Sequence, residues 1–296
     1  MEFLTIVLDS SIRLMVPLLL ATLGELISQR SGVLNVGLEG MMAAGAFAGF
    51  FAVVLGFSLP AAILIAILCG ALAGGLMAVG AVWLKGNHIL VGFSLFILLP
   101  GLANFILVQG SASASTPAVH EITVPYLSAI PIIGGALFSQ NIFYYLAVVL
   151  TVLVWVMFSR TQLGLVISSV GHDPARARTK GISPVKVQTL ALLACGALAG
   201  LGGAALSLGS VGSFTPNIIG GRGFIVIAIV ILGRWTVTGA VVGAILMGLL
   251  EAMKLNLPQL ADVPIQLLGA LPWIVVIAML IFSARLGSNA PRSLVT

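Results

Sequence analysis

Charged residues are scarce in this sequence, at 7% of 296 residues, whereas a soluble domain carries about 25%. Hydrophobic residues make up 60%, and the mean hydropathy is +1.21. So much apolar surface needs lipid as its solvent, which excludes a soluble enzyme. The eight acidic residues also leave few carboxylates for the proton relays of proton-coupled pumps, so we expect another subunit to supply the driving force.

The motifs through which proteins bind nucleotides and metals are also missing. The sequence has no GxxxxGK[ST] loop for ATP and no CxxC or HExxH pattern for zinc, and we expect no cofactor on this chain. The two cysteines, Cys69 and Cys195, lie inside apolar runs, which favours buried thiols over a disulfide. The net charge of +5 comes mainly from basic residues beside apolar runs, so it reports membrane orientation, and we expect no nucleic-acid partner.

Long apolar runs account for most of the chain, and a membrane-spanning helix needs about 20 such residues, or fewer where it is broken. We therefore predict an all-α, polytopic membrane bundle of roughly 8–10 transmembrane helices, including broken or re-entrant ones, in a single domain over residues 1–296. Segments Pro125–Phe138 and part of Arg30–Gly40 are candidates for re-entrant helices. The nine predicted spans are Ile12–Ile27, Gly37–Phe57, Leu59–Leu84, Ile89–Val108, Ile142–Phe158, Val185–Leu208, Phe224–Trp235, Thr238–Met253 and Ile265–Phe282.

One polar segment, Ser159–Lys186, interrupts these runs with five basic residues and a single acid, Asp173. Lys and Arg resist translocation, so we expect this loop on the cytoplasmic side. Asp173 followed by Pro174 is typical of a helix start, and Gly181 of a helix end. The segment therefore predicts a short helix on the inner membrane face, against which a soluble motor subunit can push.

The basic residues then set the orientation of the remaining spans. With Ser159–Lys186 inside, four later spans return the C-terminus to the inside, where Arg285 and Arg292 lie, and Lys85 and Arg234 also fall inside. The N-terminus falls outside.

A short sequence occurs twice within the predicted spans. The hexapeptide CGALAG at Cys69–Gly74 is repeated at Cys195–Gly200, each time with GxxxG spacing. It indicates either an internal repeat, as many transporters have, or two packing faces that converged on small residues.

A second polar stretch, Ser28–Met42, places Arg30, Asn35 and Glu39 beside three glycines at a membrane boundary. Glycines allow a broken helix, whose free backbone groups can face a ligand. Two interpretations remain open. Glu39 belongs either to a gate or path-lining element, or to a structural pair in which Glu39 or Glu25 braces a bend with Arg30.

Other polar residues near the predicted spans have similar alternatives. His88 either packs at the membrane interface or acts as a binding-site ligand. Arg222, inside the run Gly220–Gly223, has a polar substrate, a binding protein or lipid headgroups as candidate partners. Glu251 and Lys254 lie near a helix end, where we expect them to pair or to reach water.

Three segments together resemble a known family: SGVLNVGLEGMMAAGAF, then RTQLG…VGHDPARARTKGI…LALLACGALAGLGGA, then TPNIIGGRGFIVIAIVILGRW. They look like the permease subunits of ATP-binding-cassette (ABC) importers for nucleosides and simple sugars. Branched-chain amino-acid permeases are more distant relatives. The resemblance covers nearly the whole chain, and the GLEGMM and GRGF segments resemble the smaller permease of nucleoside systems.

The resemblance implies that Gly171–Gly181 is the coupling helix, which docks in a groove of a separate ATPase subunit that binds ATP and Mg. It also implies a second, larger permease in a heterodimer, a periplasmic or lipoprotein substrate-binding protein, and a bacterial inner-membrane location among lipid. The coupling residues are then Gly171, His172, Asp173, Pro174, Ala175, Arg176, Ala177 and Gly181. From the helix start at Asp173, we expect bulky or charged side chains at Ala175 or Ala177 to uncouple transport while leaving the fold intact.

A nucleoside has a flat base and a polyhydroxylated ribose, so its path needs aromatic or apolar walls and a few amide-type groups. His88 and Phe96 stand where the smaller permeases tend to carry polar groups, which leaves a sugar or a modified base as alternative cargo. Importers of branched-chain amino acids and secondary carriers are further alternatives. The candidate path residues are Asn35, Glu39, Asn87, His88, Phe93 and Phe96.

Overall fold

The computed structural model describes residues 2–109, 122–123, 139–215, 217–256, 265–283 and 290–294, and these residues are mostly helical. Strands β1 (Ile122–Thr123) and β2 (Ser139–Gln140) form a short antiparallel pair, with Ile122 opposite Gln140. The all-α prediction is confirmed. The helices in the described part are α1 (Glu2–Arg30), α2 (Leu38–Val54), α3 (Leu59–Ala78), α4 (His88–Gln109), α5 (Ile142–Arg160), α6 (Gln162–His172), α7 (Pro174–Thr179), α8 (Pro184–Ala204), α9 (Arg222–Leu232), α10 (Val237–Asn256) and α11 (Ile265–Ser283).

The nine predicted spans correspond to nine apolar helical stretches. Six are long and apolar enough to cross a membrane, namely Ile6–Arg30, Leu59–Trp83, His88–Val108, Ile142–Arg160, Pro184–Val211 and Val237–Asn256. Three are shorter: Leu38–Val54, Arg222–Leu232 and Gly269–Ala278. The chain is therefore a multi-pass membrane protein.

The candidate re-entrant segments have different outcomes. Pro125–Phe138 lies outside the described residues. Between Arg30 and Gly40 the chain forms no separate helix, because α1 continues to Arg30, a turn follows, and α2 begins at Leu38. We call residues 31–37 the elbow.

The core lies around α1, which packs against α8 and α10. Leu20, Leu23 and Leu26 of α1 are fully buried. Helices α4 and α5 lie at the periphery and leave large apolar side chains exposed, such as Ile97 on α4 and Val152 on α5. Both cysteines are free thiols; Cys195 is buried, as predicted, whereas Cys69 is half-buried.

The two CGALAG copies pack against each other where α3 and α8 cross antiparallel. A Cβ atom at Gly70 would overlap the carbonyl oxygen of Gly196, and one at Gly74 would overlap that of Leu192. The glycines therefore allow the two backbones to touch. Each helix then runs directly into a π-helical segment, Val79–Trp83 after α3 and Ala205–Val211 after α8. The same break after the same hexapeptide favours an inverted internal repeat over chance convergence.

Helix α9 is too short to span a membrane alone. Its 11 residues extend about 16 Å, roughly half of a hydrocarbon core of about 30 Å. Its C-terminal end packs on α10, where a Cβ atom at Gly233 would overlap the backbone at Gly239 and Gly243 lies against Ile229. The other end of α9 meets α2 and α4.

Candidate functional site

The predicted coupling segment, Gly171–Gly181, has the local structure that its sequence predicts. Asp173 is the N-cap of α7, and its Oδ1 accepts a hydrogen bond of 3.0 Å from the backbone nitrogen of Arg176. Pro174 occupies the first helical position, and the left-handed backbone of Gly181 (φ +79°) follows the end of the helix. The Arg176 Nε atom also lies 3.0 Å from Asp173 Oδ2.

The exposed face of α7 is only part of the predicted set. Ala175 and Arg176 are exposed, as is the neighbouring His172, whereas Ala177 is 2% exposed. The prediction that a bulky side chain at Ala177 leaves the fold intact is therefore wrong, because the added atoms would enter a packed interface. Ala175 lies on the exposed face of α7 and remains a candidate for this change.

The coupling segment is seated on the elbow. A Cβ atom at Gly171 would overlap the carbonyl oxygen of Arg30 and lie 3.1 Å from the nitrogen of Gly32. The Ser293 hydroxyl of the C-terminal turn donates a 2.6 Å hydrogen bond to the Gly171 carbonyl. The end of α1, the end of α6 and the C-terminal turn therefore meet at one point. A displacement of the coupling segment would act directly on the elbow.

The elbow is tied to α8 and to α1 by hydrogen bonds. The Gln188 side chain on α8 donates to the Ser31 carbonyl over 3.2 Å. The backbone nitrogen of Asn35 donates to Glu25 Oε1 of α1, also over 3.2 Å. Residues Ser31, Asn35 and Glu25 are fully buried, so these bonds hold the elbow in one position.

A buried polar cluster lies behind the elbow. Gln29 Nε2 donates to Glu25 Oε1 over 2.8 Å, and the indole nitrogen of Trp235 donates to Gln29 Oε1 over 2.7 Å. The amide nitrogen of Asn35 donates to the sulfur of Cys195 over 3.4 Å. Asn35 was a predicted path residue, and the structure places it in this cluster with no exposed surface.

The predicted brace between Arg30 and an acidic residue does not form. The Arg30 guanidinium lies over the ring of Phe158, 4.4 Å from its centroid, in a cation–π contact. Glu25 has Gln29 and the Asn35 backbone as partners, and Glu39 has a partner on α9.

Glu39 of α2 caps the N-terminal end of α9. Its Oε1 accepts a 2.8 Å hydrogen bond from the nitrogen of Gly221, the N-cap residue of α9. Gly221 has φ +86°, a backbone that glycine adopts without strain. A Cβ atom at Gly223 would meet the backbone of Glu39, so this glycine lets α9 lie against α2. A carboxylate at a helix N-terminus is stabilised by the free N–H groups there.

Arg222 is held beside Glu39 by a second carboxylate. Its Nη2 atom lies 2.9 Å from Glu251 Oε2, and its Nη1 donates to the carbonyls of Ile218 and Ile219. The side chains of Arg222 and Glu251 are 17% and 8% exposed. Within the chain, the ionic partner of Arg222 is therefore Glu251. The expected pair of Lys254 with Glu251 is present at 3.9 Å.

Three aromatic rings meet where α9 begins. Phe96 and Phe224 lie edge to face at 5.4 Å between ring centroids, Phe93 and Phe96 at 6.0 Å, and Phe93 and Phe224 at 6.4 Å. Gly40 of α2 lies against Phe96 of α4, which brings the rings next to Glu39. Phe224 was not among the site residues predicted from the sequence. The glycines of Gly220–Gly223, which directly precede it, are the sequence feature that could have indicated it.

The remaining predicted path residues lie at one end of α4. Asn87 Oδ1 accepts from the backbone nitrogens of Ile89 and Leu90, at 2.9 and 3.3 Å, so Asn87 caps this helix. His88 is the first residue of α4 and is half-buried. The structure thus places Glu39 near Phe93 and Phe96, whereas Asn35 lies in the buried cluster with Glu25 and Cys195.

An apolar cavity of about 310 Å³ lies between α2, α3 and α4. Its walls include Phe47, Phe51, Leu99 and Ala103, with Cys69 of α3. These walls offer no strong hydrogen-bond donor or acceptor to a polar ligand.

Comparison with known proteins matches residues 7–284 to the family described as the permease component of the branched-chain amino acid transport system. The putative glucose ABC transporter permease protein TsgC13 of Haloferax volcanii is 36% identical over 264 residues, 88% of this chain and 80% of that protein. The nucleoside ABC transporter permease protein NupC of Lactococcus lactis is 34% identical over 278 residues, 89% and 87% of the two chains. A second permease of that strain, NupB, is 24% identical over 82% of this chain and 71% of its own length.

A solved structure shares the fold. It is described as an inward-facing conformation of a putative metal-chelate type ABC transporter, and it matches with a TM-score of 0.52 and 18% identity over 93% of this chain and 84% of the other. At this identity the likeness concerns the fold alone. Given the family match over nearly its whole length, the chain belongs to the branched-chain amino acid transport system permease family.

Proposed function

We propose that this chain is the transmembrane permease subunit of an ATP-driven importer that moves nucleosides across a bacterial inner membrane. The observation that carries the proposal is the exposed, capped helix α7 seated on the elbow, within a bundle that belongs to a permease family. Such a helix presents a small rigid surface to a separate ATPase subunit, which would bind ATP and Mg. The permease itself would perform no chemistry.

The orientation of the chain supports this arrangement. Ser293 is hydrogen-bonded to Gly171, so the C-terminal turn lies on the same side of the bundle as the coupling segment. If α7 meets a cytoplasmic ATPase, the C-terminus is cytoplasmic as well. The basic residues of Ser159–Lys186 agree with that side.

Nucleosides are the substrate class that the path-side geometry favours. The rings of Phe93, Phe96 and Phe224 can contact a flat base, and ionic side chains lie beside them. NupC, which is 34% identical, is named a nucleoside permease. Simple sugars are the second candidate, because the 36% identical TsgC13 is named a putative glucose permease.

The surface of the chain is suited to contacts with lipid and with other subunits. Exposed apolar faces on α4 and α5 suit lipid on one side and a second permease on the other. We propose a heterodimer with a larger paralogue, since Lactococcus lactis has two nucleoside permeases that both match this chain. A periplasmic or lipoprotein binding protein would deliver the cargo.

Uptake into proteoliposomes tests the proposal. The complex of this chain, its paralogue, the ATPase and the binding protein should accumulate radiolabelled nucleoside only when ATP is enclosed on the ATPase side. Excess unlabelled nucleoside should compete, whereas glucose and leucine should not. If glucose or leucine enters and nucleosides neither enter nor compete, the substrate assignment is wrong.

A further inference from the structure

Resting on the proposed function, we propose that Phe224, together with Phe93 and Phe96, forms the surface on which the base of a nucleoside stacks during passage. Glu39 acts as a positioning residue, because it holds the start of α9 and therefore Phe224. We call Phe93, Phe96 and Phe224 the aromatic surface.

The geometry of the three rings suits a transient contact with a flat ligand. The centroid separations of 5.4–6.4 Å lie within the range of favourable aromatic pairs. Phe93 is 43% exposed, and Phe96 and Phe224 are half-buried, so the rings support one another and still offer accessible surface. Trp273 of α11 is 41% exposed and lies over Gly221, beside the same helix start.

The charges around the aromatic surface argue against a face that is open to lipid. Glu39 contacts Gly221, and Arg222 pairs with Glu251, which lies inside the candidate span Val237–Asn256. Charged side chains within spans face other protein or a water-filled cavity, because burial in hydrocarbon is costly. Arg222 and the neighbouring Lys254 keep 17% and 34% of their side chains exposed, so this end of α9 suits a hydrated path between subunits better than lipid.

The apolar cavity is the competing location for the cargo, and its chemistry does not suit a nucleoside. Its walls offer no strong hydrogen-bond partner for the ribose hydroxyls, and unsatisfied buried hydroxyls are unfavourable. The aromatic surface combines rings for the base with the partly exposed side chains of Arg222 and Lys254 at the same end of α9. Base–aromatic stacking also tolerates different bases, because every base has a π-face.

Glu39 fixes the position of Phe224 through the backbone of α9. The carboxylate contacts Gly221 at the start of the helix, and Phe224 follows within the first turn. Gly223 lies against the backbone of Glu39 with no room for a side chain. Loss of the carboxylate would release the helix start and shift Phe224 relative to Phe96.

The test uses the complete reconstituted complex, with uptake of a purine and a pyrimidine nucleoside measured side by side. Phe224→Leu should lower the maximal purine uptake by about five- to tenfold, the lower end of what one base–aromatic stack contributes. The pyrimidine should be affected less, because its ring is smaller. Phe224→Trp should retain purine uptake. The matched control is Phe105→Leu, on α4 but 64% exposed and outside the aromatic surface, and it should leave both rates unchanged.

The positioning role of Glu39 has its own readout in the same assay. Glu39→Ala should reduce the purine-to-pyrimidine ratio in the same direction as Phe224→Leu, and Glu39→Gln, which keeps an acceptor for Gly221, should restore it. A purely structural role would lower both rates together. If Phe224→Leu matches Phe105→Leu in rate and ratio, the inference is overturned while nucleoside import stands. If the unaltered complex imports no nucleoside, the proposed function fails first.

Discussion

At the scale of single residues, three buried carboxylates of the bundle each have specific partners. Glu25 accepts hydrogen bonds from Gln29 and the elbow, Glu39 caps α9, and Glu251 pairs with Arg222. Glu39 and Glu251 therefore join α9 to α2 and α10, and Glu25 joins α1 to the elbow. These contacts position the elbow and α9.

The Trp235–Gln29 bond tests this role at one residue. Trp235→Phe removes the 2.7 Å hydrogen bond and leaves a buried amide oxygen without its donor. We expect a loss of about 1–3 kcal/mol of stability, seen as a lower apparent melting temperature of the purified complex. Trp155→Phe is the control, because Trp155 is 46% exposed and should leave the melting temperature unchanged. Equal melting temperatures for both variants would show that the cluster contributes no stability.

At the scale of elements, the sequence predicts the features that neighbouring residues determine, namely where helices begin and end and where the spans lie. The Asp173-Pro174 start and the glycine stop of α7 are read from adjacent residues, and the apolar runs locate the spans. The orientation of α7 is not predicted, because six residues are too few to show a periodic pattern, and so the sequence did not distinguish the buried Ala177 from the exposed Ala175. The partners of Glu39 and Arg222 depend on how α9 packs, which no local pattern specifies.

Helix α7 also provides a prediction for coupling. Ala175→Trp should place a large side chain on the exposed face of α7 that we propose docks on the ATPase, so that ATP hydrolysis continues while uptake falls. Ala177→Trp should instead disrupt packing, because Ala177 is 2% exposed, and should lower the yield of assembled complex. The measurements are the ratio of nucleoside imported to ATP hydrolysed and the recovery after size-exclusion chromatography. If the assembled Ala175→Trp complex couples uptake to ATP hydrolysis normally, α7 is not part of the surface that docks on the ATPase.

At the scale of the whole molecule, the structure connects the proposed ATPase contact with the proposed path. Gly171 lies on the elbow, the elbow continues into α2, and Glu39 of α2 holds α9. Gly37, at the end of the elbow, lies against Gly92 of α4, the helix that carries Phe93 and Phe96. A movement of the coupling segment therefore has a continuous packed route to the aromatic surface.

The central claim is that a separate ATPase drives this chain through α7, and cross-linking tests it most directly. A cysteine placed at Ala175 should form a cross-link with the ATPase subunit in the assembled complex, with a yield that changes between nucleotide-free and ATP-bound states. The unaltered chain is the control, because Cys195 is buried and Cys69 lies within α3. Absence of a cross-link in every nucleotide state, in a complex that still transports, would contradict the account.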